Sequence, residues 1–139
     1  MIKKFALFSF IVFLTAAHSQ LLAQKPFRLN PRITTADYEH GKVILKLKPE
    51  FRSIASQNKI AEPALQKIFS VLEANKAEKL FPRHQLPAKE RNDSGEKLVD
   101  LSLIYEVSYS SGAPIEKAIN LLMSSGKLIY AEPSYIYKP

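Results

Sequence analysis

At 139 residues and 46% hydrophobic, the chain has room for one compact domain around a single core. It contains no cysteine, which excludes disulfides, thiolate catalysis and cysteine-based zinc sites. The formal charge is +7, and removing Lys3 and Lys4 takes it to +5; Lys and Arg are scattered along the chain, the pattern of solvated basic faces rather than of one dedicated acidic contact.

Residues 1–23 have the form of an export signal. Lys3 and Lys4 supply a positive start, residues 5–17 are an apolar run, and Ala17-His18-Ser19 or Leu21-Leu22-Ala23 offers small residues for cleavage. Such a run reaches only about 20 Å, against a hydrocarbon core roughly 30 Å thick. A cleaved signal is therefore expected, with a secreted or periplasmic product that has no membrane contact once the signal is gone. Residues 24–40 contain Pro26 and Pro31, mixed charge and no sustained period. They are expected to form a linker with little structure of their own.

A folded domain is expected over residues 41–139. Val43, Leu45 and Leu47 alternate with Ile44, Lys46 and Lys48, the period of a strand with one buried face, and Pro49 ends it. In residues 63–74, Leu65, Ile68, Phe69 and Leu72 fall on one helical stripe, with Pro63 suited to the first turn. Residues 77–81 are a weaker strand closed by Pro82, and residues 83–97 a polar loop. Leu101, Leu103, Tyr105, Val107 and Tyr109 alternate with Ser102, Ile104, Glu106 and Ser108, predicting a central strand. Pro114 then opens a second helix whose stripe is Ile115, Ala118, Ile119 and Leu122, and Gly126 supplies a left-handed exit. A last strand follows from Lys127, and Pro133, which cannot donate to a ladder, predicts that it lies at an edge.

The order strand, helix, strand, strand, helix, strand predicts an α+β, ferredoxin-like split βαββαβ fold. Right-handed crossovers put both helices on one face of a four-stranded antiparallel sheet. Strand parity then places Val43, Leu45, Leu47, Leu101, Leu103, Tyr105, Val107, Leu128 and Tyr130 under the helices, and Ile44, Ile104 and Ile129 on the opposite, bare face. Three isoleucines there would make an apolar patch of the kind that marks a partner surface. The same parity also occurs on solvated sheets, because β-branched side chains suit strands.

Nothing in the residues predicts catalysis. Beyond the signal only His40 and His84 could serve as bases, no Gly-x-Ser-x-Gly elbow occurs, and the carboxylates and histidines make no metal spacing. Asp93-Ser94-Gly95 resembles an aspartic-protease motif, but Asn92 and Glu96 flank it where apolar strands would be needed, so a turn is expected. RNA readers of this topology carry aromatics on the exposed face of the central strands. Here Tyr105 and Tyr109 share the core parity, which argues against nucleic acid. No cofactor, metal or catalytic residue is expected.

Three stretches carry a family likeness: Gly41-Lys42-Val43-Ile44-Leu45-Lys46-Leu47-Lys48-Pro49, Ile104-Tyr105-Glu106-Val107, and Tyr130-Ala131-Glu132-Pro133-Ser134-Tyr135. Together they resemble the propeptide of secreted bacterial subtilisin-like serine proteases, over about residues 41–137. The last resembles the tyrosine-alanine-glutamate-proline-asparagine close of many such precursors, with Ser134 in place of asparagine. The resemblance implies a non-catalytic domain that binds a subtilisin-like protease through the bare sheet face and lays its C-terminal tail in the substrate cleft, inhibiting the enzyme or assisting its folding. Family members act in cis; with no catalytic domain in this sequence, action in trans by a domain that is monomeric when free is implied. Tyr135, Ile136 and Tyr137 are the expected tail residues. Glu90, Asp93 and Glu96 are expected to cap helix N-termini of the protease, where anions are favoured. Two other readings stay open: a secreted ferredoxin-like module with a non-protease partner, and the stub of an interrupted precursor.

Overall fold

The structure, a computed structural model, describes residues 25–138; the expected signal and its cleavage points lie outside them. Strand β1 spans Tyr38–Leu47, helix α1 Pro63–Leu72, β2 Ala74–Lys79, β3 Ile104–Tyr109, α2 Ile115–Ser124 and β4 Leu128–Tyr135. The four strands form one antiparallel sheet in the order β2-β3-β1-β4. This is the split α+β arrangement of ferredoxin-like folds, with the most strongly alternating strands at the centre. The proline-limited strand β4 lies at an edge, and Pro133 turns its ring into the core, fully buried.

One hydrophobic cluster joins the helices to the sheet. Leu65, Phe69 and Leu72 of α1 and Ile115, Ala118, Ile119 and Leu122 of α2 pack with Val43, Leu45, Leu47, Leu103, Tyr105, Val107 and Leu128. Each helix has a narrow apolar stripe because its inward positions recur every three or four residues. Glu62 caps the start of α1, its carboxylate accepting from the Leu65 amide at 2.9 Å. Burial pushes that carboxyl up, but the amide and the Lys127 ammonium outweigh it and hold Glu62 below its ordinary range. Glu73 closes α1 in the left-handed region at φ 52°, a position usually given to glycine. Tyr105 is buried with its hydroxyl donating to Ser56 O at 2.5 Å, and burial pushes this phenol up to about 12.

Element boundaries depart from the sequence reading in several places, among them β2, which spans Ala74–Lys79 rather than residues 77–81. β1 begins at Tyr38, inside the expected linker, and Leu101 and Leu103 lie in the turn before β3 rather than in the strand. The ladder between β1 and β4 slips by one residue: Leu47 faces Leu128, but Lys46 faces Tyr130 and Leu45 faces Ala131. This bulge at Ile129 reverses the parity of everything after it. Tyr130, expected under the helices, therefore sits beside Lys46 on the bare face, while Ala131 and Pro133 take the core positions. Finally, residues 25–33 are not a free linker, since Phe27, Leu29 and Ile33 pack against the core.

Candidate protein-docking surface

Neither helix packs on the second face of the sheet, and its cross-strand register sorts that face into transverse rows. At one end Lys76 faces Ser108, which faces Lys42. In the middle row Glu78 faces Glu106, Glu106 faces Ile44, and Ile44 faces Glu132. At the other end Ile104 faces Lys46, which faces Tyr130, and the Leu80 amide just beyond β2 donates to Ile104 O at 2.9 Å. Like charges directly opposed across strands are unfavourable. The repulsion between Glu78 and Glu106 is offset by Lys76, 2.8 Å from Glu78, and by Lys42, 3.3 Å from Glu106 and also paired with Glu39.

This arrangement corrects the expected isoleucine patch. Ile129 is exposed at the bulge and Ile44 is half-buried at the centre of the face, but Ile104 is buried, only 6% accessible, and lies outside the core cluster under the helices. The Ile104 amide donates to Leu101 O and its carbonyl accepts from the Leu80 amide. The three do not form one continuous apolar surface, because glutamates flank Ile44 on both ladders. Leu80 and Phe81, just beyond β2 at one edge of the sheet, and Ile129, in β4 at the other, are exposed apolar side chains.

The loop carboxylates lie elsewhere. Glu90, Asp93 and Glu96 belong to a small exposed hairpin in which Arg91 bridges Lys97 and the Leu98 amide donates to Glu90 O. Asp93-Ser94-Gly95 is a turn, as its composition predicts: Asn92 Oδ1 accepts from the Ser94 and Glu96 amides, and Gly95 adopts φ 81°. Glu96 accepts from the Asn92 side chain at 2.7 Å and Asp93 lies 3.5 Å from Lys89, so both have partners within the hairpin. The loop is anchored at its far end by Asp100. This carboxylate takes the Ser102 amide and hydroxyl at 2.9 and 2.6 Å and pairs with Arg52, which also donates to Ser102 Oγ. Burial works against its charge, but Ser102 and Arg52 win and lower the Asp100 carboxyl to about 2.

The tail continues β4 along the start of β1. Tyr135 faces Tyr38, the Ile136 amide donates to Asp37 O at 2.9 Å, and Lys138 Nζ lies 2.9 Å from Asp37 Oδ1. Tyr135 and Ile136 are exposed at 39% and 44%, and Tyr137 at 95%. His40 sits against the Tyr38 ring, and His84 lies in the loop with Nε2 buried and without a hydrogen-bond partner. Among the described residues no three His, Asp or Glu side chains converge as metal ligands, and no helix is long and apolar enough to cross a membrane.

No family model, curated protein or solved structure matches the chain.

The residues that sequence reasoning overlooked are Glu106, Glu132 and Tyr130 on the bare face, and Asp37, which holds the tail. Glu106 could have been found by the parity that singled out Ile44. Glu132 and Tyr130 could not, because the bulge that places them leaves no mark in the alternation.

Proposed function

We propose that this domain is a non-catalytic binding protein that docks its bare sheet face on a partner and lays its C-terminal tail in the partner's groove, and that the partner is a subtilisin-like serine protease. The observation that carries the reading is the pairing of a sheet face on which neither helix packs with an exposed tail running on from its edge strand. Such a tail can add to a partner as a strand, exchanging main-chain hydrogen bonds along its length and placing alternate side chains in pockets. Tyr135 and Tyr137 are the alternate positions, with large amphipathic rings suited to that use. Bound in this way, the domain blocks the cleft, and by favouring the native protease over its unfolded chain it stabilises the fold by mass action. Secretion of the domain belongs to the same reading.

The protein, freed of residues 1–23, is mixed with a panel of subtilisin-like proteases and residual peptidase activity is followed. The expected result is stoichiometric inhibition of at least one, weakened when Tyr135 and Tyr137 are both changed to alanine. Absence of both inhibition and complex across the panel would overturn the protease assignment. One observation favours a second reading, a ferredoxin-like module for a non-protease partner: the centre of the face is a row of glutamates around Ile44 rather than an apolar patch. That result would select it.

A further inference from the structure

Residues 25–33 lie along α2, held by their main chain. The Phe27 amide donates to Asn120 Oδ1 at 2.7 Å and Asn120 Nδ2 donates back to Phe27 O at 3.0 Å, so one side-chain amide satisfies both polar groups of one residue. One helical turn earlier, Glu116 Oε1 accepts from the Leu29 amide at 2.6 Å. The geometry is matched: a helical turn advances about 5.4 Å, and two residues of extended chain about 6.6 Å. Asn120 and Glu116 therefore read alternate residues of a segment running against the helix, while Phe27 and Leu29 turn their side chains to the core.

The segment then delivers the chain to Asp37. After a turn in which Ile33 donates to Asn30 O, Thr34 and Asp37 form a capping box around a short 3-10 turn, Thr35–Asp37. The two oxygens of Asp37 divide their work. Oδ2 accepts from the Thr34 amide and hydroxyl, both at 2.8 Å, and Oδ1 takes Lys138 of the tail at 2.9 Å. The Asp37 carbonyl holds the Ile136 amide as well. The Lys138 partner and the Thr34 donors keep this exposed carboxyl well below the ordinary carboxylate range, so the joint stays charged through mild acid.

We propose that residues 25–37 form a latch that fixes the path by which the C-terminal tail leaves the domain, with Asp37 as the positioning residue that joins the seat on α2 to the tail. The latch operates whatever the tail binds; only its use in presenting the tail to a cleft rests on the docking reading above. If the seat on α2 and the tail contacts were independent, loosening the first would leave the second unchanged. If they are coupled, the effect passes through the Thr34–Asp37 box to Ile136, since a shared two-state element responds to either end.

Amide hydrogen exchange on the full chain, with no protease present, decides the matter. In Asn120→Ala, exchange at Phe27 and at Ile136 is expected to rise together by about tenfold or more, with Tyr105 and Val107 unchanged, because a local opening leaves the central strands protected. A rise at Phe27 with Ile136 unchanged overturns the latch. Should Asn120→Ala also loosen Tyr105 and Val107, Glu116→Ala at the exposed end of the seat decides instead: Leu29 and Ile136 rise together, or the proposal fails. Asp37→Asn tests the joint, since it removes the carboxylate charge but leaves the carbonyl to Ile136. Unchanged exchange at Ile136 in that variant would equally overturn it. Because no protease enters these measurements, their failure leaves the docking reading standing, and failure of inhibition leaves the latch standing.

Discussion

Gly41 shows how a single position shapes the start of the sheet. It lies in β1 where the pairing with β4 slips between Tyr38 and Val43, at φ 70°, and a Cβ built there would stand 2.7 Å from the Tyr109 carbonyl oxygen of the neighbouring strand. Two costs meet at this residue. The left-handed backbone disfavours any side chain, and the atom in the way is main chain, which cannot swing aside as a side chain would. Gly41→Ala is expected to destabilise the domain by about 2–4 kcal/mol, lowering the melting temperature by roughly 10 °C. A thermal melt followed by circular dichroism checks this; a melting point within a degree or two of the wild type would mean that β1 can relax away from β3 there. Tyr38 and the tail register depend on the same slip, so the change is also expected to disturb the Tyr38–Tyr135 pairing.

Among the elements, the long connection between β2 and β3 depends most on polar contacts. Its return to β3 is secured by Arg52, Asp100 and Ser102, and the Asp100 carboxyl is lowered to about 2 in the fold. A carboxyl whose folded pKa lies below its unfolded value contributes stability that is complete above the unfolded value, about 3.9, and is lost as pH falls through the folded one. The melting temperature of the protein is therefore expected to exceed that of Asp100→Asn by a constant margin near neutrality, and the margin to close between about pH 4 and pH 2. A margin that does not change over this range would show that the ion pair does not anchor the loop. The elements themselves were legible wherever a period repeats: Val43, Leu45 and Leu47, the stripes of α1 and α2, and Tyr105 with Val107 all lie where alternation puts them. Departures arose where order comes from far along the chain. Phe27 and Leu29 owe their structure to Asn120 and Glu116, some 90 residues away, which no local pattern announces. The bulge at Ile129 inserts one residue into β4 and moves Tyr130 to the bare face, so the composition of that face was only half readable. Ile44 and Ile129 are accessible as parity predicts, whereas Ile104 is buried, which parity does not predict.

At the scale of the whole molecule, the helices and the sheet spend their apolar residues on one interface, and what remains is a face of graded chemistry with a tail attached to its edge. Lys76 and Lys42 stand in the row at one end, glutamates flank Ile44 in the middle row, and Lys46 lies between Ile104 and Tyr130 in the row at the other. A partner that covers this face has to meet the carboxylates with donors or positive charge, since an unpaired buried charge is costly. The tail pairs with the start of β1 through Tyr135 and Ile136 while its side chains stay exposed, Tyr137 almost wholly. The most direct test of this division is to map the contact on an isotope-labelled sample of the protein with a subtilisin-like protease whose catalytic serine has been replaced. The account predicts amide shift changes at Ile44, Glu106 and Glu132 and along Tyr135, Ile136 and Tyr137, with α1 and α2 unaffected. Changes confined to the helices, or none in the tail, would contradict it.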